Sequence, residues 1–517
     1  MKPAWVGLVL SLSACAPKEI AYQLLIVTTS CDARNEPLDG VQFLQARVTG
    51  DGISQPPEVT VAVSAKRLEL PEVPSGSNRL IEVRGYDGDP KSGGRVLSMG
   101  RSAPLEIPSS IPPRQPAPIT VFLRRVNAFS APVSAGDSRC LTMKVARAGH
   151  SATRLRDGKV FIAGGFHLKD GTHDRVALAD AELFDPSTGT FEAARDLSLS
   201  AAGVSTQLER AYHSATLVPS SGQVALWGGE VYVEGGTAVP RASVLFYDPE
   251  VDDYGALPAR EREPLARAHH GAAMAGNGRL LVASGLGPSG RALGAVEWLD
   301  PASTEYGVLE GVDLPRLDAV VSTARQGALV VVAGGTDGTT LLRDVAAFEL
   351  SGGAFVAVPT TLSLAAPGRR AAAAAPLRDG ADLVLLGGYS DPTRVKSVAS
   401  TEILSGDAGT VSSGPNIASL GEICAVALPD GRVMAIGGRT ADETGGFPSS
   451  GAQTVVVTAA LHGAVSSLGG PDLPVARWGH TCTALLDGTV LVTGGVNENG
   501  AQEVLSDAWI YQPAPLD

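Results

Sequence analysis

The chain has 517 residues, of which 44% are apolar, 18% charged and only 5% aromatic, with 61 glycines and 35 prolines. This length favours more than one domain, and the abundance of turn residues is typical of an all-β protein rather than a helical or disordered one. The 41 basic and 54 acidic residues give a net charge of −13, which argues against nucleic acid as a partner because no basic footprint is available for a phosphate backbone.

Residues 1–15 have the order of a secretory signal: Lys2, the apolar run Ala4–Leu10, and then Leu12-Ser13-Ala14-Cys15. The last four residues resemble a bacterial lipobox. This resemblance implies that Cys15 is the lipid attachment site and that the protein is held in the cell envelope. Because Ala16 is not an aspartate, the outer membrane is favoured. An ordinary signal peptide that contains a cysteine is the alternative.

Residues 20–127 carry six short apolar or alternating runs separated by turn residues. The runs are Leu24–Thr28, Val41–Val48, Val59–Val63, Leu80–Val83, Val96–Met99 and Ile119–Leu123. Short strands with such turns predict a β-sandwich. The pattern resembles the immunoglobulin-like or transthyretin-like modules of secreted bacterial proteins, and we expect it to act as a spacer.

Residues 128–517 contain a repeated motif. In its clearest copy, Arg147-Ala148-Gly149-His150 is followed by Asp157-Gly158, by an apolar run ending in Gly164-Gly165, and by Phe184-Asp185-Pro186. Seven copies are marked by their second glycines, which are spaced by 64, 56, 50, 53, 50 and 57 residues. A fixed period of this length is typical of a repeat architecture. Asp-Gly fits a two-residue hairpin turn between the first two strands of each copy.

The motif resembles the kelch repeat, which implies a seven-bladed kelch-type β-propeller with four strands per blade. Six or eight blades remain open because copies four to six are degenerate: Val320, Ala373 and Ile423 stand at the histidine position. The last copy ends near Tyr511 without a fourth strand. We predict that the stretch around Asn127-Ala128-Phe129 supplies this strand and closes the ring, since an open ring would leave an unpaired edge.

Without Cys15, four cysteines remain: Cys31, Cys140, Cys424 and Cys482. They allow three pairings in an oxidising compartment. Alignment of the repeats places Cys424 and Cys482 on the first strands of neighbouring blades, so we favour this pair together with Cys31–Cys140. Free buried cysteines are the alternative.

Four histidines recur at one position of the motif: His150, His213, His270 and His480. One copy per blade is too dispersed to share a metal ion, so we expect these side chains to satisfy polar groups between blades. The stretch Phe166–Asp174 contains four possible metal ligands, but polar loops of this kind are ordinarily solvated. We therefore assign no catalytic, cofactor-binding or metal-binding residue and no cofactor.

The function predicted is a noncatalytic, lipid-anchored binding or scaffolding protein. Its protein or glycan ligand would be held by the variable connections Phe166–Ala179, Glu230–Ala242, Arg439–Gln453 and Ala193–Glu209, because variable loops on a rigid scaffold commonly carry binding. The alternative is an extracellular carbohydrate-active kelch enzyme, either an oxidase or a sialic-acid-type epimerase. Galactose oxidase has a similar architecture, but its copper needs two His and two Tyr, one of them linked to a Cys, and no such set is recognisable in this sequence.

Overall fold

The computed structural model describes residues 23–65, 68, 70–71, 73–109, 118–169, 171–201, 204–234, 236–407, 409–440, 449–459 and 465–515. The predicted signal peptide and Cys15 lie outside these residues. The fold is all-β. Its helices among the described residues are four single 3-10 turns, Ala33–Asn35, Val63–Ala65, Pro90–Ser92 and Arg325–Gly327, and none has the length and apolar character needed to cross a bilayer.

The N-terminal region forms two sheets that share one core. Its strands are β1 (Leu24–Val27), β2 (Phe43–Thr49), β3 (Glu58–Ala62), β4 (Gly76–Tyr86), β5 (Val96–Arg101), β6 (Leu105–Ile107), β7 (Ile119–Phe122) and β8 (Arg124–Arg125). The larger sheet has the order β3-β2-β4-β5-β8, with β6 paired to β4, and β1 pairs in parallel with β7. Because side chains alternate along a strand, Ala46 and Val48 enter the core with Val121.

The remaining strands run from β9 to the C-terminus. They are β9 (Ala128–Ser130), β10 (Ser151–Arg154), β11 (Val160–Ala163), β12 (Phe166–Leu168), β13 (Arg175–Ala177), β14 (Ala181–Asp185), β15 (Thr190–Ala194), β16 (Ser198–Ala201), β17 (Val204–Gln207), β18 (Ser214–Leu217), β19 (Val224–Trp227), β20 (Glu230–Tyr232), β21 (Ala238–Pro240), β22 (Val244–Asp248), β23 (Asp253–Ala256), β24 (Gly271–Met274), β25 (Leu280–Ala283), β26 (Glu297–Asp300), β27 (Glu305–Val308), β28 (Val320–Ala324), β29 (Leu329–Ala333), β30 (Val345–Ser351), β31 (Ala354–Val358), β32 (Ala373–Leu377), β33 (Asp382–Leu386), β34 (Thr401–Ser405), β35 (Thr410–Ser413), β36 (Cys424–Ala427), β37 (Val433–Ile436), β38 (Arg439–Thr440), β39 (Ser449–Ser450), β40 (Thr454–Ala459), β41 (Val465–Gly469), β42 (Thr481–Ala484), β43 (Val490–Thr493), β44 (Val496–Asn497), β45 (Glu503–Val504) and β46 (Ala508–Gln512).

Seven four-stranded antiparallel sheets form most of this region. Sheets 1 to 7 have the orders β10-β11-β14-β15, β18-β19-β22-β23, β24-β25-β26-β27, β28-β29-β30-β31, β32-β33-β34-β35, β36-β37-β40-β41 and β42-β43-β46-β9. The first strands touch in cyclic order, and β42 of sheet 7 contacts β10 of sheet 1. They therefore surround a common axis. The predicted pairing of the stretch around Asn127 with the last strand is confirmed, since Phe129 in β9 pairs with Tyr511 in β46.

The second strands end at the glycine pairs because the backbone there has a positive φ and little space for a side chain; in sheet 3 alone, a serine stands at the first position (Ser284, φ +68°). At Gly164 the backbone has φ +61°, and a Cβ would come within 2.5 Å of the Arg210 carbonyl oxygen of sheet 2. Any other residue at Gly164 would be both strained and in collision. The close approach of consecutive sheets near the axis therefore explains why the pair recurs.

The N-terminal region docks on sheet 7, and the segment that follows β9 docks on sheet 1, in both cases at the end of the sheet where its β-turns lie. The Ala135 N–H donates to the Thr188 carbonyl (2.8 Å), in the turn between β14 and β15, and Arg124 lies 4.0 Å from Asp487, in the turn between β42 and β43. We call this side of the ring the turn face and the opposite side the connection face. Disulfides join Cys31 to Cys140 and Cys424 to Cys482, so the favoured pairing is confirmed.

Candidate active site

A ring of seven residues surrounds the axis at the connection face. Each stands two positions before the first strand of its sheet, and each has a positive φ between +49° and +65°. The members of this axial ring are Gly149, Tyr212, His269, Asp318, Ala371, Glu422 and Gly479. Backbone N–H groups donate from one member to the carbonyl of the previous one at five steps, for example from Tyr212 to Gly149 (2.8 Å) and from Glu422 to Ala371 (3.1 Å).

Five of these residues are not glycine, so the ring holds strained backbone. A non-glycine residue in the left-handed region costs on the order of 1–3 kcal/mol, and such residues cluster at functional sites. The cyclic hydrogen bonds keep the ring in this conformation. As a result, one tyrosine, one histidine and two carboxylates are presented around a single opening.

His269 is paired with a buried carboxylate. Its Nε2 lies 3.4 Å from Glu230 Oε2; the Glu230 side chain is 3% exposed, whereas that of His269 is 27% exposed. The Tyr232 hydroxyl donates to the other Glu230 oxygen at 2.9 Å. Burial by itself would raise the pKa of Glu230, but the nearby His269 imidazole and the hydrogen bond from Tyr232 outweigh it and hold this pKa below its usual range. An oriented imidazole that solvent can reach is suited to accept and donate protons.

Tyr212 lies between this pair and an arginine. Its ring stacks on the His269 ring with centroids 4.0 Å apart, and Arg175 Nη1 lies 3.5 Å from its hydroxyl. Loss of solvation raises the pKa of Tyr212 to about 12, so the phenol is protonated at neutral pH. Arg175 lies over the Phe166 ring at 4.5 Å and has no ion pair with any carboxylate of the described residues.

Two arginines hold the acidic residues on the other side of the ring. Asp318 is bound by Arg370 Nε at 2.8 Å and by Arg394 Nη2 at 2.7 Å. Although burial alone would raise the pKa of Asp318, the two guanidinium groups lower it, so the carboxylate stays ionised. Arg394 also donates to Glu422 Oε1 at 2.7 Å.

The second oxygen of Glu422, Oε2, is buried and has no hydrogen-bond partner. Nearly all buried polar atoms in proteins are satisfied, so an orphaned carboxylate oxygen beside the axis calls for an explanation. A ligand hydroxyl would supply the missing hydrogen bond. Because His269 belongs to sheet 3 and Glu422 to sheet 6 of a seven-membered ring, the two groups stand on opposite sides of the opening.

The predicted connections lie on the connection face, and all four of them contain hairpins rather than open loops. The hairpins are β12–β13, β20–β21, β38–β39 and, between sheets 1 and 2, β16–β17; the connection of sheet 7 adds a fifth, β44–β45. Neighbouring hairpins touch each other around sheets 6, 7, 1 and 2. The corresponding connections of sheets 3 to 5 contain isolated bridges instead of hairpin strands, so the hairpins stand on one side of the axial ring.

The recurring histidines lie between sheets, as predicted. His213 Nε2 is 2.9 Å from the Ser151 hydroxyl of sheet 1, and His270 Nε2 is 2.9 Å from the Ser214 hydroxyl of sheet 2. His150 contacts Thr493 of sheet 7, and His480 contacts the Ile436 carbonyl of sheet 6. Among the described residues, no group of three His, Cys, Asp or Glu could hold a metal ion.

Two positions in the degenerate repeats were misplaced by one residue. The side chain that contacts the second glycine of the pair is His150 in sheet 1, but it is Ala319 in sheet 4 and Ala372 in sheet 5, not Val320 and Ala373 as predicted. Ile423 was placed correctly. Because sheets 4 and 5 have no histidine to mark this position, their alignment with the other repeats was shifted by one residue. This shift also concealed Asp318 as a member of the axial ring.

One well-formed cavity lies on the turn face, away from the axial ring. Its volume is about 540 Å³, and its lining is mostly apolar, with Leu217, Met274 and Leu428 among its residues. It contains no pair of acid and base groups. We therefore place the candidate site at the connection face.

Comparisons with known proteins identify the fold. No family model and no curated protein matches the chain. A solved structure of a fungal alcohol oxidase of the AA5 family, in complex with copper, matches 72% of this chain and 75% of its own with a TM-score of 0.54 and 17% identity. The structure of YjhT matches 63% of this chain and 99% of its own at a TM-score of 0.45 and 13% identity. The likeness is one of fold.

This likeness corrects the predicted function. The principal prediction was a noncatalytic binding or scaffolding protein, but the fold matched over most of the chain is that of an oxidase, which agrees better with the carbohydrate-active alternative. The polar residues of the axial ring were not predicted from the sequence. Each repeat contributes one of them and its residue type differs from repeat to repeat, so no local motif marks them. The only sequence signal for these residues was their position, two residues after the recurring arginine and one residue before the recurring histidine.

The residues present do not fit a copper centre of the galactose oxidase type. The axial ring offers one histidine, His269, and the Tyr232 hydroxyl near it is bound to Glu230. All four cysteines among the described residues are in disulfides, so none of them can form a thioether with tyrosine. The site has the composition of an acid–base centre.

Proposed function

We propose that this chain is an extracytoplasmic carbohydrate-active enzyme that moves protons on a sugar at the axial ring, as an epimerase does. The observation that carries the proposal is the pairing of His269 with buried Glu230 on one side of the opening and Glu422, with an unsatisfied oxygen, on the other. A sugar held between them can give a proton to one group and receive a proton from the other. The reaction requires no oxidant, because the sugar gains and loses equal numbers of protons and no electrons.

The neighbouring groups have supporting roles in this proposal. Arg175 would hold an oxyanion or carboxylate of the sugar, since it is a cation without an ion pair among the described residues. Asp318 would accept hydrogen bonds from sugar hydroxyls, because its two arginine partners keep it ionised. Tyr212 would hold the His269 ring in place by stacking and would donate from its hydroxyl.

We further propose that the seven sheets are the blades of a kelch-type β-propeller over residues 128–517, behind a small immunoglobulin-like or transthyretin-like β-sandwich over residues 20–127. The cyclic contacts of the first strands and the closure by β9 support this interpretation. A signal peptide over residues 1–15 and a lipid on Cys15 would hold the protein at the bacterial membrane, with the outer membrane favoured. Because the N-terminal region docks on the turn face, the axial ring would open away from the anchor.

The test is direct observation of sugar interconversion. The mature protein is incubated with free neutral and carboxylated sugars, and the exchange between anomers or epimers is followed by proton NMR. We expect His269→Gln and Glu422→Gln each to lower the rate at least about 100-fold, the usual worth of a positioned acid or base. His173→Gln is the matched control, since this histidine is exposed on a connection outside the axial ring.

Two results would sink the proposal. One is an interconversion rate that is unchanged in both axial variants. The other is copper-dependent release of hydrogen peroxide from sugar alcohols, which would establish the oxidase in its place.

A further inference from the structure

Ring closure in this chain depends on one composite sheet. Sheets 1 to 6 are each built from one continuous stretch, whereas sheet 7 combines β42, β43 and β46 with β9 from the other end of the region. Only three residue pairs join β9 to β46, Ala128–Gln512, Phe129–Tyr511 and Ser130–Ile510. The ring can therefore open between β9 and β46 without breaking the covalent chain, and we call this junction in sheet 7 the seam.

Both disulfides of the described residues hold parts of sheet 7, one at each of its two outer strands. Cys424 and Cys482 join β36 of sheet 6 to β42 of sheet 7. Cys140 follows β9 by ten residues and is joined to Cys31 in the N-terminal region, so this bond fixes the segment that carries β9. No disulfide among the described residues joins sheets 1 to 5 to one another.

One cysteine of each bond faces solvent or a cavity. Cys140 is exposed at the surface. Cys482 lines a cavity of about 440 Å³ near the axis, together with Arg154 and Thr483. The positive charge of Arg154 favours the approach of a thiolate, which is the attacking species in disulfide exchange.

Sheet 7 is coupled to the axial ring. Gly149 of sheet 1 donates its N–H to the Gly479 carbonyl of sheet 7 at 2.8 Å, and Arg439 of sheet 6 pairs with Glu498 of sheet 7 at 3.0 Å. The first contact joins sheet 7 to sheet 1, and the second joins sheet 7 to sheet 6. Loosening of this sheet would therefore break the cycle that holds the ring residues in their strained conformation.

We propose that the two disulfides form a thiol-sensitive latch on ring closure. A dithiol donates two electrons and two protons to each bond, leaving two protein thiols and becoming a cyclic disulfide itself. The freed sheet 7 then opens locally at β9 and β42, and a disulfide oxidant closes it again by the reverse exchange. The proposal is independent of which reaction the axial ring performs.

The experiment is hydrogen–deuterium exchange of the full mature chain, with and without a small dithiol, and mass analysis of the free thiols. Three variants accompany it: Cys31→Ser/Cys140→Ser, Cys424→Ser/Cys482→Ser, and the combination of all four. We expect at least tenfold faster exchange in β9, β42 and β46 of the reduced protein and of the fourfold variant, with sheet 4 changed less than twofold. Reoxidation of the reduced wild type should restore the protection.

Three outcomes overturn the latch. The disulfides resist the dithiol until the protein is unfolded by denaturant; or they are reduced while β9 keeps its protection; or sheet 4 loses protection together with sheet 7, which would make the bonds general supports of the fold. The variant with only Cys424→Ser/Cys482→Ser tests the bond at the cavity separately from the exposed one.

Discussion

Buried arginines at the start of six of the seven sheets explain much of the regularity near the axis. Arg147, Arg210, Arg267, Arg316, Arg369 and Arg477 are all nearly inaccessible. Each donates Nη1 to the carbonyl at the first position of the glycine pair of its own sheet, such as Gly334 for Arg316 (3.0 Å). Arg147, Arg210, Arg267 and Arg477 each stand three residues before a recurring histidine, whereas Arg316 and Arg369 were not predicted because alanine replaces the histidine in their sheets.

Sheet 6 replaces this arrangement by an apolar one, which gives a prediction for sheet 3. In sheet 6, Leu420 occupies the arginine position. Val455, which pairs with β37, occupies the position that Glu297 takes beside β25 in sheet 3. Arg267 forms a fully buried ion pair with Glu297. Arg267→Leu should destabilise the protein by about 3–5 kcal/mol, because Glu297 would remain as an unpaired buried charge. Arg267→Leu/Glu297→Val should recover most of this loss. Urea unfolding of the two variants checks it; equal stabilities would contradict the role given to the ion pair.

The buried histidines give a prediction for acid stability. Burial lowers the pKa of His213 and of His480 to about 3, well below the 6.5 of an exposed histidine. The unfolded chain therefore takes up protons first, so the stabilisation is complete above about pH 6.5 and decreases as the pH falls toward 3. Each such histidine contributes a slope of about 1.4 kcal/mol per pH unit below about pH 6.

The measurement is the free energy of unfolding of wild type and His213→Asn between pH 7 and pH 4.5. The variant should be less stable at pH 7, since the contact with Ser151 is lost, but its stability should fall less steeply with acid. Parallel slopes would show that His213 is not buried in its neutral form.

At the scale of elements, turn chemistry made the strands predictable. Asp157-Gly158 lies at the turn between β10 and β11, and Gly158 has φ +89°, a conformation that glycine adopts at little cost. The apolar runs before the glycine pairs are the fully buried second strands, such as Val160–Ala163. The hairpins of the connection face were not predicted, because their strands are only two to four residues long and their pairing depends on neighbouring hairpins.

The closing strand gives a prediction at this scale. Phe129 in β9 is 3% exposed and lies 5.2 Å from the Tyr511 ring. Phe129→Ala should lower the free energy of unfolding by about 3–5 kcal/mol, and it should also open sheet 7 to limited proteolysis. Phe355→Ala is the matched control, since Phe355 is similarly buried in the outermost strand of sheet 4. If both variants are cleaved at the same places, β9 has no special role in closure.

At the scale of the whole molecule, the fold resembles that of a copper oxidase, while the ligand set at the axis does not support copper. The mature protein should therefore retain no stoichiometric copper after dialysis, and a chelator should leave the sugar interconversion rate unchanged within about twofold, which is a negligible change in barrier. Mass spectrometry for metals and NMR of the treated protein check this. A rate that falls with chelator and returns with copper would contradict the acid–base assignment.

The sequence by itself indicated the all-β fold, seven recurring glycine-pair motifs, the favoured disulfide pairing and the structural role of the histidines, while six or eight blades and free cysteines stayed open. Each of the indicated features depends on local turn chemistry or on a residue that recurs at one position, so a linear pattern records it. Only the tertiary structure decided which residues meet at the axis. Tyr212, His269, Asp318 and Glu422 differ in kind and are separated along the chain by whole repeats, and ring closure brings them together through backbone contacts between sheets. Because each sheet contributes a single residue to this group, no segment shorter than the whole ring carries a sequence pattern that reveals it.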